Sequence, residues 1–174
     1  MPYTGIVLAI LALHAAAFLI LLAHWLVSAG LFPKAMDSFA EQYQTRPIRA
    51  TLLGLITYGP LFLILLNAAK FGHPLITLLG LVGGLGGLLI AFMGSAGLAL
   101  LIGRNLRPDA DSWAQGLRGS IVLALVFITP FLGSLFLMHL GLASGFGAFL
   151  LAKPWKRKAP AQVPPPLDPV LSQP

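Results

Sequence analysis

Residues 74–103 read PLITLLGLVGGLGGLLIAFMGSAGLALLIG, carry no charged side chain, and are followed directly by Arg104. A helix needs about 20 mostly apolar residues to cross a bilayer, so this stretch can cross one with tilt to spare. Its glycines would each cost a helix in water about 1 kcal/mol relative to alanine, but small residues let membrane helices pack closely. We therefore predict a central, closely packed transmembrane helix. The glycines expected at its contacts are Gly80, Gly83, Gly84, Gly87, Gly94 and Gly97.

The composition of the whole chain is typical of a membrane protein. Of its 174 residues, 57% are hydrophobic and 9% are charged, against about 25% charged in soluble domains. The net charge is +6, but the basic residues lie in loops and in the tail, where they report membrane topology. We therefore predict no nucleic-acid binding. The chain has no cysteine, which excludes disulfides, thiolate metal sites and a cysteine nucleophile.

Two apolar runs precede the central one. We interpret residues 5–31 as a retained transmembrane helix rather than a signal peptide, because residues 1–4 carry no basic side chain. Residues 50–69 form the second run, which Gly59-Pro60 interrupts, since proline removes a backbone donor and kinks a helix. Between these runs, residues 32–49 place apolar side chains at helical spacing, which indicates a short amphipathic helix on the membrane surface.

A final uncharged run covers residues 119–152. At about 1.5 Å per residue a straight helix of this length would exceed the hydrocarbon core of about 30 Å. We predict a broken pair of short helices, either a re-entrant hairpin or two tilted spans, with break points at 130–133 and 141–147. Before it, Asp111 or Ser112 is a candidate helix cap.

The fold class predicted from these runs is all-α: a polytopic membrane helix bundle with three transmembrane helices plus a C-terminal broken helix pair, giving four to five membrane segments. Of the eleven Lys and Arg residues, only Lys70 lies between the second run and the central one. If the last run enters and returns, the other ten lie on one side, as the excess of basic residues in cytoplasmic loops requires. This predicts a bacterial inner-membrane protein with its N-terminus outside and its C-terminus in the cytoplasm.

The predicted spans contain no acidic side chain, lysine or arginine, which argues against a pump or an ion-coupled transporter. We find no motif for a catalytic or metal site, and predict a non-enzymatic protein. His14 and His139 are candidate axial ligands for a haem or chlorophyll, because the small residues 15–17 leave room for a ring. The alternative is that both histidines make hydrogen bonds between helices.

The tail, residues 153–174, is basic at first and then rich in proline. Such a segment cannot bury a core, so we predict a solvated cytoplasmic tail that begins with a basic anchor. A more specific hypothesis is contact with lipid headgroups or a partner protein. The side chains that would make this contact are Trp155, Lys156, Arg157 and Lys158.

A resemblance to one bacterial family covers residues 31–152. It rests on Leu31-Phe32-Pro33, on Arg46-Pro47 leading into Leu53-Gly54-Leu55 and Pro60, on the close at Ile102-Gly103-Arg104, and on Pro130-Phe131-Leu132-Gly133 followed by the glycines of 141–147. These features resemble the multi-pass membrane module of proteins that also carry a bactofilin-like, polymer-forming β-helix. The chain departs from that family by lacking the β-helix. The resemblance implies a membrane anchor or scaffold without catalytic residues.

The function predicted from the sequence is an integral membrane anchor, scaffold or accessory subunit. Its expected partners are membrane lipid and either other membrane subunits or further copies of itself. One alternative is a small uncoupled transporter or channel with a polar path past Asn67 and Thr129. The other is a subunit that carries a haem or pigment on His14 or His139.

Overall fold

The computed structural model describes residues 2–70 and 72–152, and over these residues the chain is helical, with no strand. The helices are α1 (Pro2–Leu31), α2 (Pro33–Thr45), α3 (Pro47–Asn67), α4 (Pro74–Leu106), α5 (Ser112–Ile128) and α6 (Met138–Leu151). A 3-10 turn, Ala68–Lys70, follows α3, and a π-helical turn, Leu132–Leu137, precedes α6. Four segments of the described chain are long and apolar enough to cross a membrane: Thr4–Leu31, Pro47–Lys70, Pro74–Leu106 and Leu132–Leu151. The predicted all-α membrane bundle is thereby confirmed.

Proline marks where three of the helices begin. Pro33, Pro47 and Pro74 each lie in the first turn of their helix, where the missing N–H would have no intrahelical acceptor anyway. Asp111 caps α5, because its side chain accepts a hydrogen bond of 3.3 Å from the Ala114 amide. This confirms one of the two predicted caps.

The long helix α4 is the axis on which the other helices pack. Gly84 faces Leu65 and Gly87 faces Leu61, so α3 runs antiparallel to α4. Gly103 meets Gln115, and the earlier Ala99 meets the later Gly119, so α5 is also antiparallel to α4.

The last helix returns in the direction of α4. Gly94 meets Gly145, and further along both helices Leu98 and Leu101 pack in the same cluster as Ala148 and Leu151. The chain therefore enters the bundle as α5, turns, and leaves as α6 at the end where α4 also ends. The predicted broken helix pair over residues 119–152 is thereby confirmed, and its second segment, Leu132–Leu151, is long and apolar enough to cross a membrane.

The hairpin turns at the predicted break. Pro130 ends the α5 segment, and Phe131 adopts a positive φ of 61°, which is uncommon for a residue with a side chain. Gly145 lies against Ala91 and Ser95, so at about 1.5 Å per residue the start of α6 lies level with residue 86 or so of α4. The π-helical turn Leu132–Leu137 carries the hairpin further, to about the level of residue 80, so roughly the first 10 Å of α4 extends beyond it.

The helices approach each other most closely at glycines that face a neighbour's backbone. A Cβ atom added to Gly54 would lie 1.7 Å from the Ala143 carbonyl oxygen, and one on Gly147 would lie 1.8 Å from that of Ala50. The same distance is 1.9 Å for Gly94 and the Gly145 oxygen. These distances exclude any side chain, so glycine at these positions allows backbone-to-backbone packing.

Residues 141–147 were predicted as a break point, and that prediction is wrong. They lie inside α6, and all of them except Phe146 are buried. The helix continues through their glycines. Because these glycines have no side chain, α6 can pack against the backbones of α3 and α4.

The predicted packing glycines of α4 divide into two groups. Gly80, Gly84, Gly87, Gly94 and Gly97 are buried. Gly83 is exposed, and no atom outside its own local helix lies within 4 Å of its added Cβ, so it makes no helix contact within the described chain. A contact of Gly83 with a helix of a partner stays a prediction, because its side of α4 faces away from the other described helices.

Three other expectations need correction. Pro60 does not interrupt α3, which continues through it. Arg118 lies inside α5, which begins at Ser112, and not in a loop. The amphipathic helix α2 forms as expected, but its apolar face lies on protein and not on lipid, since Phe39 is fully buried and packs on Gly97.

We predict that Gly147→Ala destabilises the protein by about 1–3 kcal/mol or more, because the added methyl group meets a backbone oxygen that has no room to move. Gly83→Ala is the matched control. It should be neutral or stabilising by up to about 1 kcal/mol, because alanine favours a helix. Thermal unfolding in one detergent measures both. Equal loss of stability in the two variants would contradict the packing described here.

Candidate functional site

A buried hydrogen bond joins α1 to α4 near the middle of the bundle. The Trp25 Nε1–H donates to Ser95 Oγ over 3.0 Å, and Ser95 Oγ donates to the Phe92 carbonyl oxygen over 2.8 Å. The Trp25 ring also packs edge-on against Phe127 of α5, with 5.7 Å between ring centroids. A single side chain of α1 thus holds that helix to two others. The sequence signal that could have located it is the helical spacing of Leu21, Trp25 and Ser28, the buried residues of α1.

A second buried hydrogen bond joins α2 to α6. The Ser144 hydroxyl donates to the Gly141 carbonyl oxygen over 2.8 Å, so the Tyr43 hydroxyl donates to Ser144 Oγ, 3.3 Å away. Burial raises the pKa of the Tyr43 hydroxyl above its ordinary value. The phenol therefore stays protonated, and able to donate, throughout neutral and moderately alkaline pH.

The loop between α4 and α5 is held by one amide side chain. Gln115 Nε2 lies within 3.2 Å of the carbonyl oxygens of Arg107, Pro108 and Ala110. Nearby, Arg104 of α4 forms an ion pair with Asp37 of α2. These contacts fix the end of the bundle at which α2, the 107–111 loop and the end of α6 meet.

Three buried polar atoms within the spans have no hydrogen-bond partner among the described residues: His24 Nε2, the Tyr58 hydroxyl and His139 Nδ1. Aromatic rings surround them. Phe62 lies 5.1 Å from the His139 ring and 5.6 Å from the Tyr58 ring, measured between centroids, and Phe92 lies 5.5 Å from His24. Each such atom costs free energy in an apolar medium.

The two candidate haem or pigment ligands lie in different surroundings. His14 Nδ1 donates to the Ile10 carbonyl oxygen of its own helix over 2.8 Å. The His139 ring packs in a T-shaped arrangement against Phe62, with 5.1 Å between centroids, and its Nδ1 has no hydrogen-bond partner among the described residues. Neither of them joins a set of three or more possible metal ligands within residues 4–70 and 72–152.

The two residues proposed to line a transport path both have hydrogen-bond partners within the described chain. Asn67 Nδ2 donates to the Leu63 carbonyl oxygen over 2.9 Å, and its Oδ1 accepts from Lys70 over 3.0 Å. Thr129 donates to the Leu125 carbonyl oxygen over 3.0 Å. Both side chains are thus engaged within or next to their own helices.

The outer face of α1 is a band of small residues that no described residue covers. It lies opposite the buried Trp25, and no atom outside the local helix lies within 4 Å of a Cβ added to Gly5 or Gly30. The small residues of this α1 outer face are Gly5, Ala9, Ala12, Ala16, Ala23 and Gly30, all exposed; the larger exposed side chains Leu19 and Val27 lie on the same side of the helix.

No family model, curated protein or solved structure matches this chain. The expected lipid or partner contact at Trp155 to Lys158 lies outside the described residues, as does the rest of the tail. The α1 outer face is therefore the candidate functional site that the described residues favour, because it places several exposed small residues along one face of a helix long enough to cross a membrane.

We predict opposite results for the same substitution at two buried tyrosines. Tyr43→Phe should cost about 1 kcal/mol, because it removes a buried hydrogen bond. Tyr58→Phe should be neutral or stabilising, because it removes a hydroxyl that has no partner. Thermal unfolding of both variants in the same detergent is the measurement. A clear loss of stability in Tyr58→Phe would show that its hydroxyl has a partner in the membrane.

Proposed function

We propose that the protein is a non-enzymatic membrane anchor or accessory subunit that associates through the α1 outer face with another transmembrane helix, either of a partner subunit or of a second copy. The observation that carries the proposal is the band of small residues along α1, which is exposed. Gly5 and Ala9 are four residues apart, as are Ala12 and Ala16, which is the spacing at which membrane helices pack closely.

The rest of the bundle supplies the physical argument. Ala50 with Gly54, and Ala143 with Gly147, have the same spacing of four and meet each other at backbone distance. Lipid tails pack poorly against a surface of small residues. A second helix makes more van der Waals contacts there than the mobile lipid chains do. A small-residue band without a neighbour is therefore best explained by a helix that binds it.

The two alternative functions have less support. A channel needs polar side chains that face a common path, and both Asn67 and Thr129 bond to their own helices. A haem subunit needs a ring nitrogen with open space in front of it; His14 Nδ1 donates to the Ile10 carbonyl oxygen, and the His139 ring packs against Phe62 with 5.1 Å between centroids. The resemblance to the membrane module of bactofilin-like proteins remains a prediction, and it agrees with an anchoring role.

We further propose that the protein lies in the bacterial inner membrane with its N-terminus outside. Of the basic residues in the described chain, only Lys70 lies at the end of the bundle where α4 begins. The basic residues at the opposite end are Lys34, Arg46, Arg49, Arg104, Arg107 and Arg118. This distribution supports a cytoplasmic location for the second end.

The orientation can be tested with single cysteines, because the chain has none of its own. A membrane-impermeant maleimide should label Thr4→Cys and His73→Cys in intact spheroplasts, and should label Gln44→Cys and Asn105→Cys only after permeabilisation. All four residues are exposed. Labelling of Asn105→Cys in intact cells would reverse the proposed orientation.

The association can be tested by adding bulk to the α1 outer face. We expect the wild-type chain, solubilised in mild detergent, to purify as an oligomer or with a partner, and Ala12→Leu/Ala16→Leu to lose that association at least ten-fold. Ala15→Leu is the control, because Ala15 is exposed but lies away from the band. A wild-type chain that emerges alone and monomeric would overturn the proposal.

A further inference from the structure

The corner between α2 and α3 forms an open depression. It has a volume of about 380 Å³ and is lined by Thr45, Arg46, Pro47, Ile48 and Arg49. The corner lies at the basic end of the bundle, where α3 enters the membrane. Pro47 begins α3 here, and its fixed φ holds the two arginines on either side of it in a defined arrangement.

Within the described part of the chain, the two arginines of this corner have no partner for their charge. No side-chain hydrogen bond or ion pair joins Arg46 or Arg49 to another residue of the described chain, whereas Arg104 is paired with Asp37 and Lys70 donates to Asn67. Guanidinium groups bind phosphate oxygens in a bidentate manner. A pair of them at a membrane boundary, without a carboxylate, is therefore suited to a phosphate.

Next to the two charges lies an exposed apolar track. The Ile48 side chain is 73% exposed and Leu52, one helical turn further into the membrane, is 55% exposed. Residues four apart lie on the same face of a helix. A ligand with a phosphate at the corner would therefore find an apolar surface that runs from that phosphate toward the bilayer centre.

The start of α3 adds to the positive potential of the corner. No side chain caps this helix end, so its first free amides point toward the same depression, and the helix dipole favours a negative charge there. This contribution supplements the arginines, which define the site.

We propose that this corner is a binding site for an anionic phospholipid. The Arg46 and Arg49 guanidinium groups hold the phosphodiester, and one acyl chain lies along Ile48 and Leu52. The site prefers a headgroup with net negative charge, because a zwitterionic lipid brings its own cation to two unpaired arginines. The inference is independent of the partner proposed for α1, since it uses neither that helix nor its outer face.

Native mass spectrometry of the full chain, released from mixed phosphatidylglycerol and phosphatidylcholine, tests this site. We expect the wild-type protein to retain phosphatidylglycerol at least ten-fold over phosphatidylcholine, and Arg46→Gln/Arg49→Gln to bring the ratio close to one. Arg107→Gln/Arg118→Gln is the matched control, because it removes the same charge from the same end of the bundle and should keep the preference. Equal loss of preference in the two double variants would overturn the site in favour of diffuse charge.

Two further measurements test whether the ligand is a lipid held by guanidinium groups. Arg46→Lys/Arg49→Lys keeps the number of basic residues and therefore the topology, but lysine lacks the planar fork, so the preference should fall at least three-fold. An unchanged preference would overturn the role of the guanidinium groups. Excess inorganic phosphate should not displace the lipid, because the phosphate lacks the acyl chains; displacement would show that the ligand is a free anion.

Discussion

The bundle depends on helices that touch backbone to backbone. In lipid there is no hydrophobic force to bring helices together, so association comes from the number of atom pairs at van der Waals distance. That number is highest where neither helix has a side chain in the way. Helix α6 meets this condition on two sides at once, with Gly147 and Ala143 against α3 and Gly145 against α4. Because α6 packs between α3 and α4 in this way, the hairpin returns to the end of the bundle at which it began.

The sequence was sufficient for the features that depend on the composition of one segment. Apolar length identified the first three spans, Pro130 identified the turn of the hairpin, and Asp111 was correctly named as a cap because its chemistry acts within four residues. The same reasoning failed where the outcome depends on a distant segment. Glycine can interrupt a helix or let it pack closely against another helix. Residues 141–147 pack closely because α3 and α4 have small residues at the points of contact.

Orientation within a helix was also hidden from the sequence. Helix α4 is apolar on all sides, so its pattern does not say which face is turned inward. Gly83 and Gly84 are neighbours in the chain, yet one is exposed and the other is covered by Leu65. Hydrogen-bonded pairs are hidden for the same reason: Tyr43 and Ser144 are 101 residues apart. The sequence showed which candidate site residues have polar side chains, but it could not show which of those side chains have hydrogen-bond partners.

The hairpin gives the molecule an unequal cross-section. At the end where α4 finishes, the described chain places α1, α3, α4, α5 and α6 side by side, with α2 laid across them. Beyond the turn at Pro130, only α1, α3 and α4 of the described helices continue, for roughly 10 Å. With each helix about 10 Å wide, the protein occupies more area in one leaflet than in the other. It is therefore a wedge, and a cluster of such wedges would bend the bilayer away from the leaflet that contains the wider end.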